Sequence, residues 1–134
     1  MRILLALGLV LALAACKTTG EKIVENGGAK MSQTQVNALV SDTTKTWDSG
    51  EGVGYHGPDG TFLYTSEKHG DGEGQWRVRD DGVLCLQIDQ FWGEKDKCTW
   101  TFYRRSDGTI AVVRSDNGKV QEQTDDMYKS GNLL

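Results

Sequence analysis

Three cysteines and two histidines are the side chains of this sequence with the most chemistry in them. His56 with Asp59, and Ser66 with His69, have the composition of fragments of a nucleophile–base pair. A working triad also needs a third group to orient the base and a turn that exposes the nucleophile, and neither pair has them. His69, Asp71 and Glu73 alternate with glycines, so their side chains could converge on a cation. A calcium loop, however, requires further oxygen ligands and a closing glutamate. Gly70, Gly72 and Gly74 are not followed by the Lys-Ser or Lys-Thr pair of a phosphate loop. Cys85 and Cys98, with no suitably spaced histidine, are half of a zinc site. The reading is a chain with no catalytic residue, no metal site and no cofactor, which acts by binding.

Cys16 carries a different chemistry. Arg2 precedes an uncharged apolar run from Ile3 to Leu13, and the segment closes on Leu13-Ala14-Ala15-Cys16. That ending resembles the bacterial lipobox, in which the cysteine is lipidated and becomes the new N-terminus. A spanning helix needs about 20 apolar residues, and Lys17 stops this run too early. An ordinary secretory signal shares the positive start and the small-residue site, but not the cysteine placed directly after it. The resemblance implies two or three acyl chains on Cys16, enough for stable anchoring where one chain is marginal. With Lys rather than Asp at position 17, the pattern leans toward the outer membrane, facing the periplasm. Residues 1–15 read as a lipoprotein signal peptide and residues 16–30 as a lipidated flexible tether. Residues 31–134 form one domain.

Removing 15 of 134 residues leaves 119, enough for one domain. With 15 basic and 19 acidic residues and no basic block, the chain lacks the footprint of a nucleic-acid binder. In an exported chain, the remaining pair Cys85 and Cys98 reads as one disulfide, the alternative being two buried thiols. Seventeen glycines against one proline, with four tryptophans and four tyrosines, indicate short strands and tight turns.

The segment Lys17–Lys30 has two isolated apolar residues and cannot bury a face, hence the tether. Over Met31–Ser41 the spacing predicts a short helix. Ser32 and Gln35 have capping-box spacing, Met31 and Val36 form a hydrophobic staple, and Val36, Leu39 and Val40 make one stripe. Turn signals at Pro58-Asp59-Gly60, Asp80-Asp81-Gly82, Ser106-Asp107-Gly108 and Asp116-Asn117-Gly118 then separate alternating runs. Strands are predicted at 52–56, 61–66, 74–79, 83–90, 97–105 and 109–115, with a further candidate at 119–124. The fold class is mainly β: a short N-terminal helix plus an antiparallel meander closing into a barrel or sandwich of about six to eight strands. If Cys85 lies across from Cys98, the bridge staples one hairpin, worth roughly 3 kcal/mol in the loop-entropy account. Strand 83–90 is apolar on both faces, which means either that it is covered on both sides or that its register is shifted by one residue. Phe91 and Trp92, adjacent rings at a hairpin tip, cannot both face inward by alternation. They mark a candidate partner contact, or else a lid folded over the barrel mouth.

The order of features also resembles a known family. A short helix leads into Thr46-Trp47 and then Gly57-Pro58-Asp59-Gly60-Thr61-Phe62. Gly74-Gln75-Trp76-Arg77-Val78, Asp81-Gly82-Val83-Leu84-Cys85 and Cys98 follow, and Tyr103-Arg104-Arg105 precedes Asp107-Gly108-Thr109-Ile110. From Val36 to Ile110 this is similar to the domain of unknown function 995 family of small exported proteobacterial proteins. That resemblance implies export and a β fold and carries no activity. The expected function is a membrane-anchored accessory or binding module of the envelope. Its partners would be the membrane, through lipid at Cys16, and an envelope protein or polymer. Two alternatives stand beside it. One is a small β-barrel protease inhibitor acting through its N-terminal segment or a hairpin tip. The other is a small-ligand carrier, which an interior cavity lined by Trp76, Trp100 and Tyr64 would favour.

Overall fold

The computed structural model of the chain describes residues 16–47 and 51–134. The signal peptide expected over 1–15 lies outside the described residues. Among those described, no helix is long and apolar enough to cross a membrane.

Helix α2, Gln33–Val40, forms where the sequence places it, with both halves of the Ser32–Gln35 capping box made. Its apolar side chains Val36 and Val40 are fully buried, and Met31 just before it is buried. The strands are β2 Thr43–Trp47, β3 Gly52–His56, β4 Thr61–Thr65, β5 Gly72–Val78, β6 Leu84–Ile88, β7 Lys97–Arg104, β8 Ile110–Arg114, β9 Val120–Gln123 and β10 Tyr128–Ser130. They make one antiparallel sheet in the order β10-β2-β3-β4-β5-β6-β7-β8-β9, and strand β1, Ala29–Lys30, pairs with the end of β7. The sheet curls into a half-barrel. At its closed end α2 plugs the interior against Phe62, Phe102, Ile110 and Val78.

All seven predicted strands are present, and three more bring the sheet to ten. Strand β2 escapes an alternation test because its buried residues are Thr43, Thr44 and Lys45. Burial is tolerated because the polar groups are satisfied. The Thr43 hydroxyl donates to the Val40 carbonyl at 2.6 Å, and that of Thr44 donates to the Gly131 carbonyl at 2.6 Å. Strand β10 is three residues long and β1 only two, too short for any periodicity to register.

The tether expected over 16–30 requires correction. Residues Thr19–Glu25 form helix α1, capped by a Thr18–Glu21 box. Ile23 is buried, and the chain continues into β1 at Ala29–Lys30. One apolar side chain suffices because the rest of the attachment is not hydrophobic. Gly20 lies directly under the Tyr103 hydroxyl, where a Cβ would collide, and β1 adds backbone pairing to Tyr103 and Arg104.

The doubt about β6 resolves as a β-bulge. Leu84 pairs with Trp100 and Cys85 with Cys98, so one step on β6 matches two on β7. Leu84, Leu86 and Ile88 therefore point into the core, while Cys85 points outward, fully buried, into its disulfide with Cys98. Both faces of the strand are covered, as one of the two readings required. Cys98 accordingly leaves the face of Trp100 and Phe102 that simple alternation assigned to it. Arg77 shields the bridge from outside, bonding Asp96 through Nε at 3.0 Å and Nη2 at 2.8 Å.

Replacing Gly20 by Leu should drive Tyr103 from its place and undock α1. Limited trypsin digestion is expected to cut the variant at Lys22 or Lys30 while the natural chain resists. The loss in urea unfolding is about 1–3 kcal/mol, as for other overpacked sites. Equal resistance of both proteins would show that α1 is held by other contacts.

Candidate functional site

The curl of the sheet leaves a cleft of about 800 Å³ at the end opposite α2, within the ~300–1,000 Å³ usual for small-molecule sites. It opens between β9 and β10, the two ends of the strand order, which do not pair with each other.

One wall is apolar. Leu84, Leu86 and Ile88 from β6 and Trp100 and Phe102 from β7 face it, with Trp92 at the rim. Trp92 belongs to a single helical turn, α3 (Asp89–Trp92), that replaces the loop expected between β6 and β7. The Lys97 ammonium lies 4.6 Å from the Trp92 ring centre, a cation–π contact that holds the indole at the edge of the opening. The opposite wall is polar: Lys45, Gln121, Gln123 and Tyr128. Burial raises the Tyr128 phenol above its ordinary pKa. It therefore remains protonated and donates to Gln123 Oε1, linking the two unpaired edge strands.

Trp47 completes the lining from β2. It meets Phe62 and Tyr64 at ring separations of 6.0 Å, and Lys45 Nζ lies 5.1 Å from its centre. Gly54 on β3 makes room for it: a Cβ there would stand 2.6 Å from Phe62 and closer still to the indole. The aromatic lining thus depends on a residue with no side chain on the neighbouring strand.

Of the three residues expected to line an interior cavity, Tyr64 and Trp100 do so. Trp76 does not. Its indole N–H donates to the Gly57 carbonyl at 2.8 Å, and its ring sits edge-on to His56 in the core. Phe91 is 42% exposed and stacks edge-on with Tyr64, His69 and Trp92, whereas Trp92 packs partly against the core. The adjacent rings therefore divide between the two readings, one outward and one over the mouth. Cys16 is exposed.

The histidines occupy unlike settings. His56 is 2% exposed, 5.0 Å from Phe62 by ring centres, with Nδ1 3.4 Å from the Thr43 carbonyl. Burial pushes its pKa down to about 4, with Lys45 adding to the effect. His69 is 3.2 Å from Glu51 Oε2, and Lys68 bonds the same carboxylate at 2.9 Å. Lys68 first, then His69, hold Glu51 below the ordinary carboxylate value. The Ser66 hydroxyl accepts the backbone N–H groups of Lys68 and His69 at 3.2 and 3.0 Å, shaping the turn. Asp71 accepts from the Thr65 hydroxyl. Asp59 takes the backbone N–H of Thr61 at 3.0 Å. His69, Asp71 and Glu73 do not converge. Among the described residues, the group with metal-ligand spacing is Cys85, Asp96 and Cys98, and its two sulfurs are joined to each other.

A second depression, about 750 Å³, lies on the outer face over the disulfide, between Asp59, Gln75, Arg77, Gln87 and Glu94. It is lined mainly by polar and charged groups, and its cation, Arg77, is already committed to Asp96. The cleft is the better candidate because its aromatic wall offers a ligand large apolar area. Trp47, Lys45, Gln123 and Tyr128 were not singled out from sequence. In the β2–β3 ladder Gly54 stands opposite Lys45 and Gly52 opposite Trp47, so the room that Gly54 makes for the indole is a diagonal contact that sequence spacing does not reveal.

A family model described as "Protein of unknown function (DUF995)" matches residues 6–130, beyond both ends of the stretch that carries the resemblance in sequence. No curated protein and no solved structure matches the chain.

The buried imidazole makes stability depend on pH. Folded His56 titrates at about 4 and an unfolded histidine near 6.5, so the unfolded chain binds more protons between those values. Stability is complete above pH 6.5 and is lost as pH falls toward 4, by roughly 3 kcal/mol across the window. Urea unfolding of the natural chain and of His56→Gln at pH 7 and pH 4.5 measures the difference. The variant is expected to lose much less, and identical losses would remove His56 as the cause.

Proposed function

The chain belongs to the DUF995 family, and for this member we propose the role of a lipid-anchored, non-catalytic binding protein of the cell envelope that carries a small ligand in the cleft of its half-barrel. The observation that carries the reading is the cleft itself, with Trp47, Tyr64, Trp92 and Trp100 around a space suited to one small molecule. Its polar wall of Lys45, Gln121, Gln123 and Tyr128 supplies the few fixed groups that orient a ligand. The settings of the histidines favour binding over catalysis. His56 is enclosed by rings and neutral, and His69 is engaged by a surface carboxylate.

Leu13-Ala14-Ala15-Cys16 supports the anchor, and an exposed Cys16 is compatible with acylation. Lys17 favours an outer-membrane site facing the periplasm. Protease inhibition through the N-terminal segment gains nothing from the geometry, since Thr19–Lys30 is docked on the domain as α1 and β1.

Native mass spectrometry of the acylated protein, released gently from its own membranes, tests the reading. A bound small molecule is expected, and it should be absent from Gln121→Trp, which fills the cleft from an exposed edge position. Ligand returned at about 100 times its Kd should stabilise the natural chain by about 2.7 kcal/mol and leave the variant unmoved. In parallel, Cys16→Ser protein should appear in the soluble fraction. A natural chain with no bound molecule and no stabilising ligand in a broad panel would overturn the carrier role. Cys16→Ser protein that stayed membrane-bound with unchanged mobility would overturn the anchor.

A further inference from the structure

The anchor and the cleft are at the same end of the molecule. Helix α1 lies over the outer side of β7, with Gly20 under Tyr103 and Gly27 just after it beside Ser106, 3.6 Å from where a Cβ would stand. Ser106 is in the β7–β8 turn, at the closed end. The start of the helix is at the opposite end: the Thr19 hydroxyl is 3.9 Å from a Cβ built on Gly118, in the β8–β9 turn. Cys16 precedes Thr19 by three residues and so lies within about 11 Å of it. The next two residues after Gly118, Lys119 and Val120, already line the cleft.

The rim there mixes charged side chains, Lys119, Glu51 and Glu122, with apolar ones. Of the six large hydrophobic side chains exposed among the described residues, three border the cleft, Phe91 (42%), Val120 (36%) and Met127 (43%), while Val24, Leu133 and Leu134 do not line it. The three come from separate segments, α3, β9 and the turn before β10. Exposed apolar side chains beside an opening with one apolar wall and basic groups at its edge suit a bilayer-facing port.

Resting on the lipid-anchor reading above, we propose that the cleft opens onto the membrane and takes one acyl chain of a membrane amphiphile. The hydrocarbon lies along Leu84, Leu86, Ile88, Trp100 and Phe102. The polar head remains at the mouth by Lys119, where the rim is wet, and the volume of about 800 Å³ admits a single molecule rather than a polymer. The short path from Cys16 to α1 leaves the domain little freedom to turn its mouth away from the bilayer.

The test uses contact quenching of tryptophan by bromine. Acylated full-length protein is placed on vesicles of phosphatidylethanolamine and phosphatidylglycerol, part of which carries brominated chains. Trp47, Trp92 and Trp100 line the cleft and Trp76 does not, so loss of most of the tryptophan emission is expected. Phe91→Asp combined with Met127→Asp, both at exposed positions, should restore the emission while the protein still floats with the vesicles. In a second arm, Cys16→Ser protein without vesicles receives a brominated fatty acid, and quenching is again expected. Flotation without quenching in either arm overturns this proposal and leaves the anchor standing. Failure to float overturns both. Quenching by the free fatty acid but not on vesicles, the pattern expected if Cys16's own chain fills the cleft, overturns the membrane port. A soluble oligosaccharide that shifts the emission where brominated chains do not overturns the acyl-chain assignment.

Discussion

Two unpaired edges govern this structure. In the strand order β9 and β10 stand at opposite ends, and the curl of the sheet brings them to face each other without a ladder between them. An exposed sheet edge is a template for unwanted pairing, and both edges here are kept short and polar. Strand β10 is three residues long, and β9 is Val120-Gln121-Glu122-Gln123. Between them the chain makes one 3-10 turn, Asp125–Met127, held to β7 by Arg104 on Asp125 at 3.0 Å. The bond from Tyr128 to Gln123 then spans the gap. A full ladder in its place would have closed the barrel and removed the cleft. The single clasp fixes the spacing of the edges while leaving a space that another molecule can fill.

The opposite end compensates for the opening. Phe62, Ile110, Val36 and Val40, four of the largest fully buried side chains, pack in the core around the α2 plug and do not line the cleft. Part of the close packing is thus set apart from the cleft, whose walls can carry residues that a core would exclude. Lys45 and Gln123, both buried, are such residues. His56 marks the boundary between the two regions. It is close-packed against Phe62 and Trp76, yet its neighbour across the strand pair is Thr43, two residues before Lys45.

What the sequence made legible was local. The capping box before α2, the glycine-punctuated turns and seven of the strands all rest on spacings within a few residues, and all are present. The Cys85–Cys98 pairing was also within reach, because the two lie on adjacent strands of one hairpin. The elements that were missed depend on distant partners. Helix α1 has one buried apolar residue and looks like a linker until Tyr103 is placed above Gly20. Strand β2 reads as polar until the carbonyls of Val40 and Gly131 are known to receive its hydroxyls. The bulge at Leu84–Cys85 shifts one strand against its partner by one residue, and no alternation rule locates such a shift. The cleft lies beyond sequence reading for the same reason, since its lining is collected from β2, β3, β4, β6 to β10 and α3.

The docking of α1 changes what the lipobox reading of Cys16 implies. A flexible tether of fifteen residues would hold the domain near a membrane without orienting it, because a coil of that length reaches any direction. With Thr18 as the helix cap, only Lys17 separates Cys16 from folded structure. A lipid on Cys16, as proposed, would constrain direction as well as position at that distance, and the direction it would select is the end where β9 and β10 fail to meet. The glycine that permits α1 to lie flat under Tyr103 is therefore tied to orientation as much as to packing. Under this reading the unpaired edges, the exposed apolar side chains beside the cleft and the position of Cys16 are three consequences of one arrangement: a half-barrel left open on the side that faces its membrane.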